Sequence, residues 1–177
     1  VDGHHHLNIP MDIRQLAALL LKKYVRERWQ VGEHFFIEGE PMTSVEEKQA
    51  IRGKICAGLR MKDSKMRTAC ALVIAQIATH DWPEEWEGLL GELLVPIREK
   101  RDVDHVNGAL RCMSMLCGDL EERQLPKLVP ELFPDLFGLL QASDDGLNGI
   151  DRDQRTMVKC RALDVTRGCD SNLGMIG

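Results

Sequence analysis

The sequence predicts an all-α fold, an α–α superhelix in which antiparallel helix pairs stack side by side as a solenoid. Three observations lead there. Apolar residues recur at three-and-four spacing along most of the chain. Aromatic residues make up only 5% while leucine, alanine and methionine are plentiful, a balance that favours helix over sheet. The second helices of successive pairs begin near Ile13, Lys65, His105 and Gln154. Those starts lie roughly 40 to 50 residues apart, the period of helical-pair repeats of the HEAT and armadillo type.

Seven helices follow from the pattern, taken in order. The first spans 12–28 and carries Ile13, Leu16, Ala17, Leu20 and Tyr24 on one side. A loop over 30–43, with Gly32, Gly39 and Pro41, runs over the surface to the second. That helix, 44–60, opens on Ser44-Val45-Glu46-Glu47, a capping box in which the serine and the glutamate satisfy each other's backbone amides. The third, 64–79, places Met66, Ala69, Cys70, Val73, Ile77 and Ala78 on one stripe. A corner, Asp81-Trp82-Pro83-Glu84-Glu85-Trp86, leads into the fourth helix, 82–99. There Asp81 and Glu84 form a second capping box, Pro83 sits in the first turn, and Trp86, Leu89, Leu90, Leu93, Leu94 and Ile97 form the stripe.

The fifth helix, 103–119, carries Val106, Ala109, Leu110, Met113, Leu116 and Cys117. The sixth, 124–141, holds Pro126, Pro130 and Pro134. The last two each delete an internal hydrogen bond at a cost of about 3 kcal/mol. A bent or stepped helix is therefore expected, held by burial of Leu125, Leu128, Val129, Leu132, Phe133, Leu136, Phe137 and Leu140. The seventh, 152–167, opens like the third: Gln154-Arg155-Thr156-Met157 echoes Met66-Arg67-Thr68-Ala69. Beyond it, 167–174 reads as turn. The ends lack the polar capping repeats a stable array needs, so the chain reads as a piece of something longer. The expected layout is a flexible segment at 1–11, about 3.5 repeats at 12–168 and a tail at 169–177.

Composition narrows the function. A net charge of −5 argues against nonspecific nucleic-acid binding and allows basic protein partners. No stretch reads as a secretory signal, and the longest apolar run, 16–21, is far too short to span a bilayer. The six cysteines fall mostly on helix faces, which reads as reduced, packed thiols. Phosphate-binding glycine loops, nucleophile elbows and His-x-x-x-His pairs do not occur, so no enzyme chemistry is indicated. Cys112 and Cys117 lack a second ligand pair, and His105 is badly placed to complete a zinc site. His4, His5 and His6 precede all predicted structure. Glu84-Glu85 and Asp144-Asp145 fit a helix start and a polar loop. No metal or cofactor is expected.

Two stretches carry a family resemblance. The run 13–25, IRQLAALLLKKYV, resembles the second helix of the first repeat of the importin-β superfamily (karyopherins). Arg67-Thr68-Ala69, Ile77-Ala78 and the Asp81-Trp82-Pro83-Glu84-Glu85-Trp86 corner resemble its second repeat and the turn into the third. Residues 106–112 and 125–134 resemble one branch of that superfamily, whose clients are histones and ribosomal proteins.

The resemblance implies a non-enzymatic receptor that binds Ran-GTP, carries basic cargo, meets FG nucleoporins and shuttles between cytoplasm and nucleus. The alternative is a generic HEAT-repeat scaffold outside transport. Lys22, Lys23, Arg26, Arg67, Arg111 and Arg155 lie on the second helices, which line the partner side of a solenoid, and are the candidates to face Ran or cargo. Each is weighed against a plain solvated helix face. Asp81, Trp82, Pro83 and Trp86 are read as the structural corner, with the tryptophans packing between repeats rather than stacking on a ligand. Leu89, Leu93 and Phe137 are read as core before FG-accepting groove.

Overall fold

The computed structural model describes residues 9–30, 39, 41–120, 124–142 and 151–173. Its elements are α1 (Met11–Arg28), α2 (Val45–Ile55), a 3₁₀ segment (Cys56–Arg60), α3 (Ser64–Asp81), α4 (Leu89–Glu99), α5 (Val103–Asp119), α6 (Leu125–Gln141) and α7 (Arg152–Leu173). No strand occurs among the described residues. His4 to His6, Asp144-Asp145, most of the 30–43 loop and the last four residues lie outside them.

The helices form two layers. In one, α1 lies against α3, α3 against α5, and α5 against α7. In the other, α4 packs on α5 and α6, α6 packs on α7, and α2 closes against α3 and the 3₁₀ segment. Each pair buries its stripe against the next, which is the logic of a helical-repeat solenoid. The core is continuous along the stack, from Trp29 and Ile77 through Leu93, Leu110 and Leu132 to Val165.

Local signals set the helix starts. Ser44 accepts from the Glu47 amide at 3.2 Å while the Glu47 carboxylate accepts from the Ser44 amide at 2.8 Å. Asp63 caps α3 through the Met66 amide, and Asp102 caps α5 through the amides of Asp104 and His105. Between α2 and α3 the chain tightens into the 3₁₀ segment, which wedges between α3 and α5. Gly58 and Gly108 permit this: a Cβ on Gly58 would lie 2.3 Å from Cys70 Sγ, and one on Gly108 would lie 2.3 Å from the Leu59 carbonyl oxygen.

Four expectations need correction. First, α1 does not bury the stripe of Ile13, Leu16 and Leu20, which are 50%, 52% and 57% exposed. The helix meets α3 through Ala18, Val25 and its C-cap Trp29 instead, because α3 is its main neighbour and covers only one side. Second, the fourth helix begins at Leu89, and 82–88 form the turn before it. Asp81 ends α3, and its carboxylate is drawn away to Trp29 and Arg52 rather than capping a new helix. The turn amides of Glu85 and Trp86 go to the Asp81 backbone carbonyl.

Third, α6 has no step: it runs as one helical element through Pro130 and Pro134. Both prolines face solvent, where the carbonyls they leave free can bond water. Two lost bonds at about 3 kcal/mol each are outweighed by five buried leucines at roughly 1.5–3 kcal/mol apiece (Leu125, Leu128, Leu132, Leu136, Leu139). Fourth, α7 runs on to Leu173, so 169–173 are helix and not tail. Val165 and Cys169 are fully buried, and Cys169 meets Cys117 of α5 at 3.1 Å between sulfurs. That burial holds the helix through Gly168 and the polar residues after it.

Candidate functional site

The corner is built around a buried carboxylate. Asp81, 4% exposed, accepts the indole N–H of Trp29 at 2.9 Å on one oxygen and an Arg52 guanidinium N–H at 2.6 Å on the other. It thereby ties the end of α1, the last turn of α2 and the end of α3 together. Trp82 and Trp86 are buried beside it, and the Trp82 carbonyl accepts the Gln124 side-chain amide at 2.6 Å. The Trp82–Pro83 bond is cis. Lys127 reaches Glu84 at 3.1 Å, but both are exposed and the pair adds little. Sequence reading named Asp81 but missed Trp29, Arg52 and Gln124, since nothing local pairs residues 29 to 52 positions apart.

The structure disperses the six candidate cations. Arg67 is buried, donates to the carbonyls of Met61 and Lys62, and pairs with Asp104 at 2.9 Å. Its role is to clamp the α2–α3 connection to α5, and it is not a free contact residue. Lys23 lies 3.9 Å from Glu27 one turn on. Arg26 is exposed, and Lys22 and Arg155 are half-buried. Arg111 is half-buried on α5, where it borders two clefts.

One cleft, of about 390 Å³, lies on α1, α3 and α5, with Leu19, Lys65, Ala69 and Leu72 around it. The other, of about 230 Å³, separates α5 from α7, where Met115, Arg161 and Asp164 join Arg111. Arg161 was missed, although it stands one turn beyond Met157 and two beyond Gln154 on the same helical face. Burial, then the charges of Arg111 and Arg67, hold its guanidinium below the usual arginine range, against the pull of Asp164. Of the groove candidates, Leu89 and Leu93 are fully buried, whereas Phe137 is 52% exposed on α6 with its ring 5.9 Å from that of Phe133.

The thiols are packed, not poised for chemistry. Burial pushes Cys56, Cys70 and Cys112 upward, and Cys117 is raised first by its hydrogen bond with Cys169 and then by burial. Cys160 alone among the six is exposed. A maleimide added to the folded protein should therefore label Cys160 rapidly, the half-buried Cys56 slowly, and the four buried thiols only on unfolding. The Cys160→Ser variant should lose the fast phase; a fast phase that survives would contradict the packing.

Residues 5–60 match the family described as the Importin-beta N-terminal domain. Importin-9 of Drosophila melanogaster is 26% identical over 136 residues, covering 76% of this chain and 13% of that protein. Over these stretches the chain is similar to importin-type proteins. Exportin-2 of Pagrus major is 30% identical over 100 residues, covering 56% of this chain and 10% of its own length. Exportin-2 of Oreochromis niloticus is 27% identical over the same number of residues. The chain thus spans between a tenth and an eighth of the length of the curated proteins it matches. Its described residues hold the stacked helix pairs, the Asp81 corner and the open face of the α1–α3–α5–α7 layer.

Proposed function

We propose that this chain is part of a nuclear transport receptor, a non-enzymatic scaffold that binds the small GTPase Ran in its GTP form. In this reading it helps import basic protein cargo of the histone or ribosomal-protein kind, meets FG nucleoporins in the pore, and shuttles between cytoplasm and nucleus. The match of residues 5–60 to the Importin-beta N-terminal domain, on a chain folded as stacked helix pairs, is the observation that carries it. The helix pairs of 12–168 are the repeats in this reading, and the Asp81 corner ties neighbouring helices together. Ran-GTP would compete with or displace cargo because its GTP-ordered switch segments present a surface the GDP form lacks.

A pull-down on immobilised Ran decides the matter. The chain should be retained on Ran loaded with a non-hydrolysable GTP analogue and washed off Ran-GDP. Equal retention on both, or on neither, would overturn the Ran assignment. Uptake of FG-repeat peptides is the companion measurement, because a helical scaffold outside transport has no reason to bind them.

A further inference from the structure

The chain as a whole is acidic, with 28 carboxylate side chains against 23 lysines and arginines. Its open α1–α3–α5–α7 face is not. Leu19, Lys65, Thr68, Ala69, Leu72 and Arg111 border one cleft on that face, and Arg111, Met115, Arg161 and the carboxylate of Asp164 border the next. Lys22, Lys23 and Arg26 share the helical side of Leu19 by their spacing. Carboxylates on the same side are few. Asp12 stands at the far start of α1, Glu27 lies 3.9 Å from Lys23, Asp104 is held by Arg67 at 2.9 Å, and Asp164 lies 3.4 Å from Arg167.

Arg111 and Arg161 differ from the other cations. Neither has a carboxylate hydrogen-bonded to it or ion-paired with it among the described residues, and the Nε of each is shielded from solvent without an acceptor. A half-buried guanidinium that borders a cleft and has no carboxylate of its own can take one from a partner, and a carboxylate fits the guanidinium fork with two parallel bonds. The walls of the two clefts hold no aromatic ring; their apolar part is Leu110 and Met115 in one and Leu19, Ala69 and Leu72 in the other. That favours leucine- or methionine-like side chains over stacked bases.

We propose that this face binds an acidic polypeptide segment, with Arg111 and Arg161 anchoring two of its carboxylates and the flanking clefts taking its apolar side chains. The inference goes beyond the transport reading and does not rest on it. If both hold, basic cargo is repelled here and must use another surface.

The test is fluorescence anisotropy of the whole chain with a short fluorescein-labelled peptide of glutamates interspersed with leucine. Binding should be saturable, weaken as salt rises, and fall about tenfold for each of Arg111→Glu and Arg161→Glu. Arg101→Glu, exposed on the connection before α5, should leave it unchanged. Arg161→Gln removes the charge without reversing it and should give an intermediate loss, so an unstable reversal does not end the test. Circular dichroism confirms that each variant is folded. No binding, equal binding by folded variants, or equal affinity for a lysine-for-glutamate peptide would overturn the proposal. So would equal affinity for single-stranded RNA of matched charge, which would make the face a general polyanion site.

Discussion

Replacing Asp81 by alanine is expected to cost about 3–5 kcal/mol of folding stability, the range for breaking a buried pair from one side. The size follows from what is left behind. Arg52, with 11% of its side chain exposed, would keep a charge with no counter-ion at that position. The indole N–H of Trp29, a residue only 1% exposed, would lose its acceptor. A domain of this size has roughly 5–15 kcal/mol in total, so the variant should sit near its folding limit. Urea unfolding read by tryptophan fluorescence measures it, with the midpoint falling and the slope unchanged.

A cycle separates the pair from its desolvation. The double variant Asp81→Leu/Arg52→Met should recover much of the loss, because removing both charges leaves no ion stranded. A loss below about 1 kcal/mol for Asp81→Ala would mean the carboxylate is not the tie described.

The Gly108→Ala substitution is expected to destabilise the protein, against the usual trend for glycine in a helix. In an open helix the added methyl stabilises by about 0.5–1 kcal/mol. Here it would land 2.3 Å from the Leu59 carbonyl oxygen, 3.1 Å from its carbon and 3.2 Å from its Cα, all backbone atoms that cannot rotate aside. The 3₁₀ segment must then move off α5. Overpacking of this kind costs about 1–3 kcal/mol, and a backbone obstacle places it at the upper end, for a net loss of about 2 kcal/mol.

Gly138→Ala in α6 is the matched control, since nothing lies within 4 Å of its added Cβ. It should raise the urea midpoint while Gly108→Ala lowers it. Two shifts of the same sign would show that intrinsic propensity, not the close crossing, governs both positions.

These two sites mark how legibility divides in this molecule. The α5 span, the Ser44–Glu47 box and the order of elements were readable, because capping and three-and-four spacing are settled within a turn or two of chain. The repeat period was readable for the same reason. The roles of Asp81 and Arg67 were not. Both sit where local rules place a cap and a solvated basic face, yet each is spent inside the structure on partners that meet only when helices stack. Arg161 escaped notice as a site residue because its neighbour Arg111 lies on another helix.

What the sequence determined alone was the all-α class, the helix-pair rhythm and the resemblance carried by the Asp81–Trp86 corner. Tertiary structure decided which side of α1 is buried, how far α7 extends, and which arginines remain available on the open face. The physical reason is range. Backbone hydrogen bonds and side-chain periodicity act between residues close in the chain, whereas burial and charge pairing depend on which surfaces the stacked helices bring together.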